Sequence, residues 1–291
     1  MTLDNDPVTD DDSRYRTGAD PDAAVLNAAQ MASPSYRLAA LDQDFLMGDS
    51  MRGVRFLLEY AKAEQALRAW GVRSTVVVFG SARIGENGNP THARWYKEAR
   101  AFGRIVSQRG GALRGQVGEP RDNVIATGGG PGIMGAANRG AHDVGAPSIG
   151  YNITLPHEQE PNPWSTPELT FRFHYFAMRK MHLAMRANGL VVFPGGFGTF
   201  DELFEILTLR QTGKERNIPI VLFDEGYWRS VVNLEKLAEH GMISRADLDL
   251  IGFAEDAEGV WRELLARGLR PGAENVDDPN QPSLQSEGVT G

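Results

Sequence analysis

Six short runs of β-branched and aromatic residues recur along this chain, each followed by a stretch long enough for a helix that crosses to the next run. They are "STVVVFG" (74–80), "NVIATGGG" (123–130), "PSIGYNI" (147–153), "GLVVFPGG" (189–196), "IPIVLFD" (218–224) and "LDLIGF" (248–253). Short, evenly apolar runs suit strands covered on both faces. Their alternation with helical patterns predicts an α/β fold, Rossmann-like and doubly wound, with a mainly parallel sheet and helices on both faces. A further helix, "SMRGVRFLLEYAKAEQALRAWG" (50–71), precedes the first strand and is expected to pack on the sheet. No internal repeat or second core is visible, so residues 46–270 are expected to form one domain. An acidic, mostly disordered tail at 1–45 and a disordered tail at 271–291 are expected to flank it.

The tails carry most of the net charge of −8: residues 1–22 hold seven Asp against two Arg, and residues 271–291 hold four acids and no base. The middle of the chain is therefore near neutral, with no basic surplus that would point to a nucleic acid polymer. Cysteine is absent, which removes disulfides, thiolate nucleophiles and Cys-ligated metals together. No apolar run reaches the roughly 18 residues that span a bilayer. The N-terminal sequence has neither the basic start nor the apolar core of a secretory signal, so no membrane association and a cytoplasmic location are expected. The six His show no metal-ligand spacing, and His157-Glu158 in a Pro-rich loop reads as a turn, so no metal is expected.

In doubly wound sheets ligands bind beyond the carboxyl ends of the strands, and three loops there carry glycine. The first, residues 79–83 ("FGSAR"), offers one hydroxyl at Ser81 and one guanidinium; a plain turn with Ser81 capping a helix is the simpler reading. The second, "TGGGPGIMGAANRGA" (127–141), spells G-x-G-x-x-G at Gly130, Gly132 and Gly135. A dinucleotide reading is weakened because the motif follows the second strand and its matching acid would be Glu158, in the Pro-rich loop and not at a strand end. What remains is exposed backbone N–H at a helix start, where Gly129, Gly130 and Gly132 permit close approach by a nucleotide or sugar. The third, Pro194-Gly195-Gly196-Phe197-Gly198-Thr199, combines free N–H groups, a hydroxyl and the positive end of a helix, which suits a phosphate monoester. No Gly-Lys-Ser/Thr follows, so triphosphate hydrolysis is disfavoured.

Two readings of Glu202 stand side by side. Thr199-Phe200-Asp201-Glu202 has the form of a capping box, with Thr199 as N-cap and Glu202 reaching back to it. A phosphate on the same N–H groups would displace that cap and leave the carboxylate facing whatever the phosphate carries. Upstream, "FRFHYFAMRKMHLAMRANG" (171–189) reads as an aromatic, strand-like segment and then a helix ending at Gly189. Arg179, His182 and Arg186 share one basic face, with His182 and Arg186 expected as a solvated stripe. Arg179 and Lys180 lie just before the strand that enters the phosphate loop.

These segments resemble the LONELY GUY family, whose members are often labelled lysine decarboxylase although nothing here resembles a pyridoxal-phosphate lysine site. "PGGFGTFDE" matches the family's P-G-G-x-G-T-x-x-E, "MRK" (178–180) matches the Arg-Lys before it, and "GGGPGIMGAANRGA" and "VVFGSAR" match the other loop and the first strand. The resemblance implies an N-glycosidase that cleaves a nucleoside 5′-monophosphate to free base and ribose 5-phosphate, with no cofactor. Arg179 and Glu202 would be the catalytic pair. Gly195, Gly196, Gly198 and Thr199 would hold the phosphate; Ser81, the Gly129 to Gly132 loop and Lys180 would complete the substrate site. It also implies a homodimer or higher homo-oligomer. The extension through residue 70 and the segments 114–123 and 155–171 exceed the compact plant-type pattern, placing the chain with a longer bacterial branch. AMP or another purine monophosphate then stands beside a cytokinin riboside monophosphate as implied substrate. The alternative is a non-catalytic nucleotide or molybdenum-cofactor carrier on the same fold, which would keep the glycine loops and need neither Arg179 nor Glu202.

Overall fold

The structure, a computed structural model, describes residues 26–155, 160–214 and 218–272. The expected tails fall largely outside these residues, as do His157 and Glu158. Within 26–45 the chain forms a helical turn at Ala28–Met31, a 3-10 turn at Pro34–Tyr36 and the start of a short helix, Gln43–Met47. Two compact units are present, one ending at Leu58 and the other beginning at Glu59. In the first, Asp42 accepts from the Phe45 N–H, and Arg55 donates to the carbonyls of Leu46 and Gly48, both at 2.7 Å.

Residues from Glu59 onward build the α/β domain. Its elements are the end of α1 (Arg52–Ala69), β1 (Thr75–Phe79), α2 (Pro90–Arg109), β2 (Val124–Thr127), α3 (Ile133–His142), β3 (Ser148–Ile153), β4 (Thr170–Phe173), α4 (Phe176–Met185), β5 (Ala187–Val192), α5 (Phe197–Gln211), β6 (Ile220–Phe223), α6 (Glu225–Val231), α7 (Leu234–Glu239), β7 (Ile251–Ala254) and α8 (Ala257–Ala266). The seven strands form one sheet in the order β4-β3-β2-β1-β5-β6-β7, and every pairing is parallel. The fold is Rossmann-like and doubly wound, with helices on both faces.

The central strands β1, β2 and β6 are buried along their whole length, as uniformly apolar runs between two helical layers must be. β4 corresponds to the aromatic, strand-like segment before the helix, which is not among the six apolar runs. It is an edge strand with Phe171 and Phe173 buried and Arg172 exposed, so it alternates where the others do not. On one face α2 crosses α3 closely: a Cβ at Gly103 would collide with the Ala137 carbonyl and one at Gly140 with the Arg100 carbonyl. Gly140 thus serves helix packing, although it sits in the glycine-rich segment. No helix among the described residues is long and apolar enough to cross a membrane.

The helix expected to run to Gly189 ends at Met185, and Gly189 lies inside β5. The expected solvated stripe is likewise overturned. His182 has no exposed surface and stacks among Tyr60, Tyr151 and Phe173, with ring centroids 5.5, 6.1 and 5.5 Å away. Arg186, just past the helix, is buried and donates to Glu64 Oε1 at 2.7 Å and to the Val72 carbonyl at 3.2 Å. The physical reason is that α4 lies against the sheet and α1, so the side of α4 that carries His182 becomes interior.

Burial disfavours the imidazolium and pushes His182 down to about 4. Burial pushes Glu64 upward, but hydrogen bonds from Arg186 and Arg68 outweigh it and hold the carboxyl at about 2. An unfolded histidine protonates near pH 6.5, so the native state loses stability as pH falls from there towards about 4. Melting temperature measured across pH 4.5–6.5 is expected to decline, and His182→Leu should flatten that decline; Glu64 titrates below the window.

Candidate active site at the reversal of strand order

From β1 the chain winds outward through β2, β3 and β4, then returns to place β5 on the other side of β1 and continues to β6 and β7. The carboxyl ends of β1 and β5 therefore diverge into loops leading to opposite sides, which opens a crevice. Main-chain hydrogen bonds fix its floor: Phe193 N–H to Phe79 O at 2.8 Å and Ser81 N–H to Pro194 O at 3.0 Å. Ile133 N–H to Ser81 O at 3.1 Å ties in the start of α3, and the Tyr227 hydroxyl donates to Gly195 O at 2.7 Å. All three glycine loops are thus joined. The cleft above them encloses about 910 Å³ and is lined by residues 79–83, Met134, Arg179, residues 196–200 and Val231.

The helix after the third loop does not start where the capping box requires. α5 begins at Phe197 with Gly196 as an extended N-cap, and no side chain caps it. Thr199 lies in the first turn, its N–H bonded to Gly196 O at 2.9 Å and its hydroxyl packed so close to Gly195 that a Cβ there would overlap it. Glu202 is then well inside the helix, where no capping role is open to it. The first-turn N–H groups carry the positive end of the helix without a side-chain acceptor. A Cβ at Gly196 or Gly198 would meet nothing within 4 Å, so these two glycines are not required by internal packing.

Glu202 is 3% exposed and takes a 2.6 Å hydrogen bond from Arg179 Nη2. Arg179 projects from α4, its guanidinium 5.4 Å from the centre of the Phe176 ring. Gly128 lies beside it, and a Cβ there would crowd Met134 Sδ at 2.9 Å while standing in ordinary contact with Arg179 Nη1 at 3.7 Å. Arg179 Nε is buried without a partner among the described residues, a state that costs about 1–3 kcal/mol unless water or a ligand relieves it. Burial raises the Glu202 carboxyl above the ordinary carboxylate range against the pull of Arg179 and Lys180, with Glu205 and Asp201 adding to the rise. Lys180 is not among the cleft's lining. It bridges Asp201 at 2.8 Å and Glu205 at 2.9 Å; burial works against its charge, but those two partners hold its pKa up.

Ser81 lines the cleft, and its hydroxyl accepts from Arg83 N–H at 3.1 Å, making a local turn; α2 begins at Pro90 with Asn89 as its cap. The second glycine loop is stitched from within. Gly129 and Gly132 both have φ of 70°, and a Cβ on either would strike Asn152 Oδ1 or the Ser81–Ala82 backbone. Gly135, the third glycine of the G-x-G-x-x-G, has only ordinary contacts, the nearest being Asn162 Cβ at 3.5 Å. Asn162 holds this loop: its N–H donates to Gly129 O at 2.8 Å, and its Nδ2 to the carbonyls of Gly129 and Gly130, each at 3.1 Å, and to Asn138 Oδ1 at 3.0 Å. Sequence reasoning missed Asn162, Asn138, Tyr227, Met134 and Gly128. Asn162 sits in "PNPW", which signals a turn but not which carbonyls it will reach.

A family model described as "Possible lysine decarboxylase" matches residues 134–264. The chain is 28% identical over 155 residues to "Cytokinin riboside 5'-monophosphate phosphoribohydrolase" of Arabidopsis thaliana, covering 52% of this chain and 70% of that one. It is 30% identical over 153 residues to "Probable cytokinin riboside 5'-monophosphate phosphoribohydrolase" of Oryza sativa subsp. japonica, covering 51% and 65%. The chain is similar to the LONELY GUY proteins over this segment. The aligned segments are about half of this chain and roughly two thirds of these relatives; the family-model match runs from α3 into α8 and includes Arg179, Glu202 and the third loop. Among solved structures, "the molybdenum cofactor binding protein from the phototrophic bacterium Rippkaea orientalis" superposes with a TM-score of 0.44 at 17% identity, over 67% of this chain and 96% of that one. That likeness is too loose to bear on function.

The glycines make a contrasting pair of tests. Gly132→Ala forces a side chain onto the Ser81–Ala82 backbone at a positive φ and is expected to destabilise by more than about 1 kcal/mol. Gly198→Ala adds a methyl group to open cleft in a helix and should leave thermal stability unchanged or slightly raised. Melting curves separate the two.

Proposed function

We propose that this chain is a nucleoside 5′-monophosphate phosphoribohydrolase, cleaving the N-glycosidic bond of an AMP-like or cytokinin riboside monophosphate. One observation carries the reading: a buried Arg179–Glu202 pair one helical turn beyond an uncapped helix start, in the cleft where the strand order reverses. The 5′-phosphate would take the N–H groups of residues 196–199, as the start of a helix favours an anion. The ribose would then extend towards Glu202, and Met134 and Phe197, which is 97% exposed, offer apolar surface to a planar base.

Breaking the bond between C1′ and the base nitrogen leaves positive charge on the sugar while the bonding electrons go to the base. A carboxylate held close to C1′ stabilises that charge and orients the water that adds there, and the leaving base gains a proton. Glu202 would do this as the ionised form. Arg179 fixes its orientation, and its unpartnered Nε–H is placed to donate to the substrate. The names of the LONELY GUY relatives support the same reaction class.

Incubation with AMP, GMP, CMP and isopentenyladenosine monophosphate, followed by chromatography for free base, tests the reading. Wild type should release base from at least one of them, and Glu202→Gln should lower kcat by about 10²–10⁴-fold. Binding of every monophosphate without base release would instead make the chain a nucleotide carrier.

Because Glu202 acts ionised and its carboxyl lies above the ordinary range, activity should fall on acidification at a higher pH than the roughly 4.3 of a free glutamate. Lys180 lowers that value, so Lys180→Met should move the acid limb of the kcat/KM profile further up. A limb at or below pH 4.3 would show that the ionisation limiting activity is not that of Glu202.

A further inference from the structure

We propose that Arg83 selects a phosphorylated ligand for this cleft by supplying the uncompensated positive charge that a phosphomonoester dianion requires. The proposal rests on the hydrolase reading for the identity of the ligand but on the cleft's own charges for its physics. Arg179 is neutralised by Glu202, and Lys180 is shared between Asp201 and Glu205. Those two cations face three carboxylates, so together these groups repel a dianion. The start of α5 contributes only about half an elementary charge.

Arg83 is the other cation that lines the cleft, in company with residues 196–200. It is exposed and forms no ion pair among the described residues. Other arginines of this domain behave differently: Arg94, Arg100, Arg109 and Arg139 each pair with a carboxylate. The main chain around Arg83 is nonetheless fixed. Its N–H bonds Ser81 Oγ at 3.1 Å, Ser81 N–H bonds Pro194 O at 3.0 Å, and the next residue, Ile84, is 2% exposed in the core. A guanidinium anchored at its root and unpaired at its tip can present two N–H donors to phosphate oxygens with its charge not already offset by a carboxylate. Such a contact distinguishes a 5′-monophosphate from the corresponding nucleoside and leaves the base unread.

The test is calorimetric binding of ribose 5-phosphate and adenosine to wild type, Arg83→Ala and Arg83→Lys, together with base-release kinetics on AMP. Losing a hydrogen bond to a charged group costs about 1.5–3 kcal/mol, or roughly 10–100-fold. Arg83→Ala is expected to weaken ribose 5-phosphate binding and to raise KM for AMP by that factor, with kcat changing far less. Adenosine binding should not respond, and Arg83→Lys should retain part of the affinity. Since Arg83 is exposed and unpaired, melting temperature should hold. Unchanged ribose 5-phosphate affinity in Arg83→Ala, or an equal loss for adenosine, overturns the proposal, as does a wild type that binds no ribose 5-phosphate. Weakened sugar-phosphate binding in a protein that releases no base keeps Arg83 and removes the hydrolase reading. Base release with unchanged affinity in Arg83→Ala keeps the hydrolase and removes Arg83.

Discussion

The hydrogen bonds that hold β5 against β1 are the constraint on which the rest of the molecule depends. Where these two strands meet, the chain stops winding in one direction and begins winding in the other. Loops leaving two adjacent strands towards opposite sides cannot cover the gap between them, so the sheet opens into a cleft there. Ser81 N–H to Pro194 O and Ile133 N–H to Ser81 O extend the pairing one step past the strands, making the first loop the common support of the other two. A side chain at Gly132 would break that support, which is why glycine is needed there independently of any ligand.

Within the cleft, burial and charge act against each other. Glu202 is kept nearly dry by α4 and α5, and that environment raises its carboxyl even with Arg179 bonded to it at 2.6 Å. A buried ion pair of this kind adds little to folding on balance, because desolvation offsets most of the attraction. The proposed reaction gives this buried pair a role that folding alone does not. The neighbouring Lys180 cluster on the outer side keeps charge near the pair without entering the cleft.

Much of this was legible in the chain. All six apolar runs overlap strands, closely for "STVVVFG" and "PSIGYNI", whereas "NVIATGGG" and "GLVVFPGG" run on into their glycine loops, "IPIVLFD" begins before β6, and "LDLIGF" matches only towards its end, at β7. Burial on both faces leaves such runs no polar alternation to obscure them. β4 was less legible because an edge strand with Arg172 outward has the alternation that the other runs lack. Thr199-Phe200-Asp201-Glu202 has the letters of a capping box, yet the glycines before it let the helix begin a turn earlier. His182 and Arg186 read as surface because helical spacing shows which residues share a side but not whether that side meets water.

The sequence by itself determined the parallel α/β order, the three glycine loops and the kinds of residue, an arginine and a glutamate, that accompany the third. Those follow from local chemistry: β-branched runs extend, glycines free the backbone, and a strand–loop–helix succession repeats. Only the tertiary structure decided that Arg179 and Glu202, 23 positions apart, bond to one another, that Lys180 turns away, and that Asn162 fastens the second loop. It also decided that Arg83, beside the cleft, has no carboxylate partner among the described residues. Pairing and charge compensation depend on distances between segments remote in sequence, and those distances exist only once the sheet has assembled.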